Sequence, residues 1–245
     1  FLAAYQKNTF LKKNFNTNLP SLTDFGLRDA LIDFVTGKGS MYNIFNVISK
    51  DFLFTDPNQL VTFVDNHDIE RILFLAKGNV EKAKVAYTIL MTTRGIPCIF
   101  YGSEIGMVAE RGHGILRAPF PGGFPNDERN AFSAEGRTEY ENDFYNFIKK
   151  LINIRLNNKA FTTGKMIHYP PVSNVYYFFR EGDNKKFFII VNGNEKESNV
   201  DLSLIKHQFK SKTNLKSILS GEQITLGTDF KINIKPMSAE IYLLE

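Results

Sequence analysis

The chain has 245 residues, 43% of them hydrophobic and 23% charged, a balance that excludes disorder and suits one large domain or two modest ones. Its net charge of +4 comes from 30 basic and 26 acidic residues, the basic ones scattered or in short pairs such as Lys12-Lys13, Lys149-Lys150 and Lys185-Lys186. A nucleic-acid footprint would gather them on one element with interleaved aromatics, so nucleic acid is not expected as a partner.

Residues 1–20 are polar and rich in Asn and Lys. "LPSLTDF", bounded by Pro20, reads as a short strand, and "LRDALIDFVTG" has helical spacing in Leu27, Ala30, Leu31 and Phe34, closed by Gly37. A second helical stretch covers residues 40–54, and "LVTFVDNHD" supplies the next strand. Over residues 79–94 the spacing predicts a strong helix, with Asn79 as N-cap, Val80, Ala83, Ala86, Tyr87, Leu90 and Met91 on one face, and Gly95 at the stop. "PCIFYG" follows as an apolar strand; its Cys98, the single cysteine, can form no intrachain disulfide and is expected to be a small buried hydrophobe.

Apolar strands alternating with amphipathic helices indicate parallel strands covered on both faces, here in three βα units. Residues 103–137 are irregular and rich in glycine and proline, and "YENDFYNFIKKLINIRL" makes one more helix. From about Phe161 the texture changes to short alternating runs, "NVYYFFRE", "KKFFIIVNG", "QITL", "FKINI" and "AEIYLLE", separated by turn residues at Gly182-Asp183, Gly193-Asn194, Gly221 and Gly227. These runs predict an antiparallel β-sandwich over residues 159–245, after an α/β portion over residues 1–158. No stretch approaches the ~20 continuous apolar residues of a membrane span. Opening on Phe1 in mid-pattern, with neither an initiator Met nor a signal-peptide pattern, the sequence is expected to come from a longer polypeptide.

In parallel α/β folds the carboxyl ends of the strands carry the site. Each predicted strand here ends in a carboxylate: Asp24, then Asp65 and Asp68 around Asn66 and His67, then Glu104. Carboxylates with one histidine suit metal binding or acid/base work on a sugar. The metal reading is weak, because His67 and Asp68 are adjacent and their side chains should diverge, and no second His stands at ligand spacing. Sugar chemistry fits better, since carboxylates stabilise an oxocarbenium-like transition state while imidazole and amide groups bind hydroxyls. Asp24 serves equally well as a cap for the following helix, and Glu104 reads as a structural hydrogen-bonding residue. Four consecutive polar groups after a buried strand are costly for solubility alone, with Asp65 the candidate for a supporting role.

"FVDNHD" resembles the signature of the α-amylase superfamily of glycoside hydrolases (family 13) on the seventh strand of its (β/α)8 barrel. "LPSLTDF" is similar to the sixth strand and "GIPCIFYGSEIGM" to the eighth, and a β-sandwich follows the barrel in that family. "HGILRAPFPGGFPND", the later "NAF" and "GKMIHYPPVSNVYYFFR" resemble the neopullulanase and cyclomaltodextrinase branch, particularly the starch-utilisation enzymes of Bacteroides-type bacteria.

The resemblance implies that Asp68 is the third acidic residue of the catalytic trio, binding sugar hydroxyls and helping to distort the ring, and that His67 hydrogen-bonds the same ring. His113 and Arg117 correspond to the loop after strand eight, on the non-reducing side of the substrate, and Asn66 adds a substrate-binding amide. Arg117 reads equally as a loop-locking ion-pair residue, and Arg71 as structural. Ala118-Pro119, where relatives often carry an acid, and Phe124, where they often carry Trp, depart from the family pattern.

In the family the nucleophilic aspartate and the general-acid glutamate lie on strands four and five, upstream of anything resembling Phe1. A retaining glycosidase needs those carboxyls about 5–5.5 Å apart, so this chain alone is expected to be inactive. The implied partners are an α-glucan oligosaccharide or polysaccharide and the amino-terminal barrel half, supplied in cis or by another chain, or else a second copy of this one, because three strands leave an open edge. The sandwich is expected to fold alone and residues 1–150 are not. No cofactor is expected in this segment; calcium in the full-length enzymes is usually held upstream. A bacterial periplasmic setting is favoured over a cytoplasmic one. The rival reading is a non-catalytic amylase-fold homologue kept for carbohydrate binding or assembly, which would lack the upstream aspartate or glutamate.

Overall fold

The structure, a computed structural model, describes residues 21–110, 112–209 and 214–244. Residues 1–20, whose polar character is noted above, lie outside the described residues.

The first helix, α1 (Phe25–Thr36), starts where the Asp24 carboxylate accepts from Leu27 N–H at 2.9 Å and ends at Gly37 in the left-handed region. The stretch expected as one helix over 40–54 is α2 (Met41–Ile48) followed by a 3-10 turn (Asp51–Leu53). Here Ser40 and Asn43 close a reciprocal capping box. Among the described residues the expected sixth-strand segment shows one bridge, Thr23 to Val61, before its chain turns into α1 at Phe25.

Three segments then run parallel. β1 (Val61–Thr62) pairs with β2 (Ile96–Pro97) on one side and with the Thr23 bridge on the other. Between them lie the short α3 (Ile72–Leu75) and α4 (Val80–Thr92), the latter capped by Asn79 through Lys82 N–H. A 3-10 turn (Ser103–Ile105) and the short α5 (His113–Leu116) interrupt the irregular stretch before α6 (Glu139–Leu156), whose capping box joins Thr138 and Glu141. Among the described residues no helix is long and apolar enough to cross a membrane.

Cys98 is exposed, not buried as expected. Strand alternation puts Ile96, Cys98 and Phe100 on the face opposite Pro97 and Ile99. An apolar groove of about 540 Å³ between β2 and α6 is lined by Ile96, Pro97, Ile99, Ile152 and Leu156. β2 has no strand paired on its free edge among the described residues, and Ile96 is 48% exposed.

After a 3-10 turn (Lys159–Phe161) come β3 (Lys165–His168), β4 (Val175–Gly182), β5 (Lys185–Asn192), β6 (Ser198–Asp201), β7 (Asn214–Lys216), β8 (Gln223–Thr225), β9 (Lys231–Ile234) and β10 (Ser238–Leu243). They form an antiparallel sheet in the order β10-β5-β4-β3 and two ribbons, β6-β9 and β7-β8. β4 and β5 are joined through Asp183-Asn184, both at positive φ, the two-residue turn that matches strand twist. One face of the main sheet, with Val175, Tyr177, Phe179, Phe188 and Ile190, packs on Val200, Leu202, Ile232 and Ile234 of the ribbon side. Its other face, with Tyr176, Phe178, Phe187, Ile189, Val191 and Ile241, belongs to the same core as Phe34, Ile44, Tyr87, Phe144 and Ile148 of the helices. An isolated sandwich would therefore carry a bare apolar face, against the expectation that it folds alone.

Candidate active site

β1 delivers Phe63 and Val64 to the core and then Asp65, itself buried. Asp65 faces inward: its carboxylate accepts from Ile72 N–H at 3.0 Å, satisfying the start of α3, and from Ser103 Oγ at 2.8 Å. Burial is the largest influence on it and raises its pKa, against the lowering effects of these two hydrogen bonds and of Arg71.

Beyond Asp65 the backbone folds back in a tight turn closed by an Asn66–Ile69 bridge. The Asn66 side-chain oxygen accepts from Asp68 N–H at 2.8 Å, so this amide shapes the turn. In that turn His67 and Asp68 do not diverge as their adjacency suggested. His67 Nε2 lies 3.2 Å from Asp68 Oδ2, because divergence of neighbours belongs to an extended strand and these residues have left one.

Arg117, from the loop after β2, completes the group. Its Nη2 donates to Asp68 Oδ1 at 2.9 Å and its Nε to the His67 carbonyl at 3.2 Å. Both Asp68 oxygens thus face cationic or imidazole nitrogen, and all three side chains stay about half exposed. An exposed ion pair of this kind is worth little net stability and opens readily to a polar ligand. His113 is exposed at the first residue of α5, and among the described residues no side-chain contact joins it to the cluster.

The loop that carries Arg117 is fixed by Arg71, fully buried. Arg71 donates to the Tyr101 carbonyl (2.5 Å), Ser103 Oγ (2.9 Å) and the Leu116 carbonyl (3.2 Å), and its guanidinium lies 4.1 Å from the Phe100 ring centroid. This agrees with its structural reading. Asp65, Ser103 and Arg71 form one chain linking the base of the Asp68 turn to the loop that holds Arg117. Ser103 and Phe100 had no part in the sequence reading; the only signal was their place in the "IFYGSE" run that ends the strand.

Asp24 and Glu104 do not join the cluster. Asp24 N–H donates to Val61 O, which places it about four residues, ~13 Å of strand, below Asp65. There it caps α1 and pairs with Arg94, which also holds Asp51 through Nε (2.9 Å) and Nη2 (2.8 Å). The capping reading of Asp24 thus accounts for its position. Glu104 sits in the Ser103–Ile105 turn with Oε2 buried and without a partner among the described residues. Among the described residues no group of three His, Cys, Asp or Glu could hold a metal ion.

The sandwich region matches the cyclo-malto-dextrinase C-terminal domain over residues 166–242. Among curated proteins, a cyclomaltodextrinase of Thermoanaerobacter pseudethanolicus is 28% identical over 190 residues, covering 76% of this chain and 31% of that protein. An α-amylase of Niallia circulans is 28% identical over 224 residues, covering 89% and 39%. The chain thus spans about a third of the length of these relatives. Among solved structures, an Anoxybacillus α-amylase aligns with a TM-score of 0.73 at 22% identity, covering 99% of this chain and 49% of that one. The Geobacillus thermoleovorans α-amylase complexed with acarbose gives 0.74 at 19%, covering 99% and 50%. These likenesses show the fold: the carboxyl-terminal part of a (β/α)8 barrel, about strands six to eight, followed by an antiparallel β-sandwich. Residues 11–164, more than half of the sequence, match the α-amylase catalytic domain, and the chain belongs to the α-amylase family of glycoside hydrolases.

Proposed function

We propose that this chain is the carboxyl-terminal part of a retaining α-glucan hydrolase of the cyclomaltodextrinase and neopullulanase type, acting on α-1,4 bonds in maltooligosaccharides, starch or pullulan. The observation that carries the reading is the convergence of Asp68, His67 and Arg117 at the carboxyl end of the parallel strands, in a chain of this family. The cyclomaltodextrinase-type match of the sandwich region and the cyclomaltodextrinase relative support the branch.

In this reading Asp68 accepts hydrogen bonds from hydroxyls of the sugar at the cleaved bond, and His67 binds the same ring. Both contacts tighten as the ring flattens, which is how binding becomes transition-state preference, worth several kcal/mol. Arg117 holds Asp68 ready and yields to the incoming hydroxyls. Attack on the anomeric carbon and protonation of the leaving oxygen fall to an aspartate and a glutamate on the amino-terminal half of the barrel, so that half is the implied partner. No cofactor enters the scheme.

The test uses a polypeptide in which the upstream barrel strands precede this sequence. Asp68→Asn there lowers kcat on maltooligosaccharides by orders of magnitude with unchanged circular dichroism, and the 245-residue chain alone releases no sugar. Near-wild-type turnover by the variant, or hydrolysis by the chain alone, would refute the assignment.

A further inference from the structure

The loop running from Arg117 to α6 places three phenylalanines where water would be expected to drive them inward. Phe124 and Phe132 nonetheless remain 69% and 66% exposed. The loop around them is braced. Ala131 N–H donates to the Pro121 carbonyl at 2.7 Å, Phe124 N–H to Asp127 Oδ2 at 2.8 Å, and Phe132 N–H to Asn130 Oδ1 at 3.1 Å. Arg129 clamps Glu141 in the first turn of α6 through both terminal nitrogens, at 2.5 and 2.8 Å. Arg137 donates to the Ala131 carbonyl at 3.1 Å.

Two glycines set the geometry. Gly122 has φ +116°, and a Cβ there would lie 2.7 Å from Asn130 Cα; at Gly123, φ +101°, a Cβ would lie 3.2 Å from the Phe132 ring. The ring of Phe132 therefore rests on the glycine backbone, with Phe120 packed against it at 4.5 Å between centroids. A braced loop that holds two rings in water marks a binding surface.

The charges around the rings select the ligand. Every arginine from 112 to 137 is engaged: Arg117 with Asp68, Arg129 with Glu141, Arg137 with backbone carbonyls and with Asn142. No lysine occurs in that stretch. Among the described residues of that stretch an anionic polymer would find no unengaged lysine or arginine, whereas a neutral ligand with flat C–H faces would find rings. Position also counts: Arg117 is three residues before Phe120, at most ~11 Å of chain, so the rings lie within a few sugar units of Asp68.

We propose that Phe124 and Phe132, supported by Phe120 and the Gly122-Gly123 turn, form an aromatic platform that stacks glucose units of an α-glucan beyond the unit held at Asp68. This rests on the α-glucan reading above.

The test is titration of the 245-residue chain with maltoheptaose and with maltotriose by calorimetry. Phe124→Ala and Phe132→Ala, both on exposed rings, should keep the wild-type melting temperature. Each should raise the Kd for maltoheptaose roughly fivefold to tenfold, an effect of the size expected for one aromatic stack, and change that for maltotriose less. Equal maltoheptaose binding by wild type and both variants, or none by wild type, would overturn the platform. A lowered melting temperature with unchanged affinity in a polypeptide carrying the upstream strands would overturn it in favour of internal packing. Asp68→Asn turnover in that longer polypeptide separates the two claims. If it is abolished while the phenylalanine variants bind normally, only the platform falls; if it is untouched, the glucan reading falls.

Discussion

Arg94→Met should destabilise the chain strongly, by a route that a count of ion pairs would miss. Arg94 stands just before β2 and is almost fully buried, as is Asp24; the Asp51 carboxylate is 18% exposed. The guanidinium serves both, and each holds its charge upward in pKa. Methionine fills a similar volume but strands two carboxylates, and breaking a buried pair from one side costs about 3–5 kcal/mol. The lower end applies, because Asp51 reaches some water and Asp24 keeps the Leu27 N–H. At ~2–4 °C per kcal/mol for a chain of this size, a loss of about 3 kcal/mol lowers the melting temperature by ~6–12 °C at pH 7. Burial already raises the Asp51 pKa, more than Arg94 lowers it, so removing Arg94 raises it further. A carboxyl whose folded pKa exceeds its unfolded value gains folded-state stability as pH falls through that value, so the deficit should shrink towards pH 4. Thermal melts followed by circular dichroism at pH 7, 5.5 and 4.5 measure both effects. A drop below ~2 °C at pH 7, or a deficit that widens on acidification, would refute the reasoning.

Arg180→Met should behave in the opposite way. Arg180 is fully buried in β4, donates through Nε to the Ala160 carbonyl at 2.7 Å, and has both terminal nitrogens without a partner among the described residues. Burial, the largest cause, pulls its pKa down to about 9, so the cation is a cost at neutral pH and the variant should melt within ~1 kcal/mol of wild type or above it. A loss as large as that of Arg94→Met would contradict this. Gly95→Ala should cost at least ~2 kcal/mol in a urea titration, because φ is +94° and the new Cβ would lie 2.7 Å from the Leu60 carbonyl oxygen and from Thr62 Cγ2; an unchanged midpoint would show that β1 and β2 can part. Ser103→Ala should cost about 1–3 kcal/mol at pH 7 and less in acid, since Asp65 loses a donor that lowers its already raised pKa; urea midpoints at pH 7 and 5 decide it.

Much of the architecture was legible because local signals agreed with one another. Asn79 and the stripe from Val80 to Met91 marked α4, and the "YENDF" run marked α6 to within a residue. The long strands β4 and β5 announced themselves by aromatic and β-branched runs. Of the strands of three or four residues, β8 and β9 were marked by "QITL" and "FKINI", whereas β6 and β7 carry too few alternations to stand out from turns. The motif from Asp65 to Asp68 was visible as polar groups at a strand end, yet its geometry was not, because a turn set by the Asn66 side chain reverses the strand rule. Arg117 meets Asp68 across 49 positions, and Arg94 meets Asp51 and Asp24 across 43 and 70; no periodicity encodes contacts of that separation.

The same distribution of contacts explains why the site and the stability of the chain can be altered separately. The β1–β2 pair has an open edge, and its hold on the helices runs through Arg94, which joins Asp24 and Asp51, and through Arg155 of α6, which donates to the Met91 and Thr93 carbonyls. The sandwich adds to that hold: the Asn174 side chain accepts from Met41 N–H at 2.9 Å, and a Cβ at Gly193 would lie 3.0 Å from both Phe34 and Met41. The β10-β5-β4-β3 sheet thus does for α1, α2 and α4 part of what a closed barrel would do. Asp68, His67 and Arg117 stand apart from this core, half exposed and fixed only by the Asn66 turn and the Arg71 clamp. Exchanging Asp68 for Asn therefore leaves every buried contact in place, and a loss of turnover in that variant would report on the chemistry of the carboxylate and not on the fold.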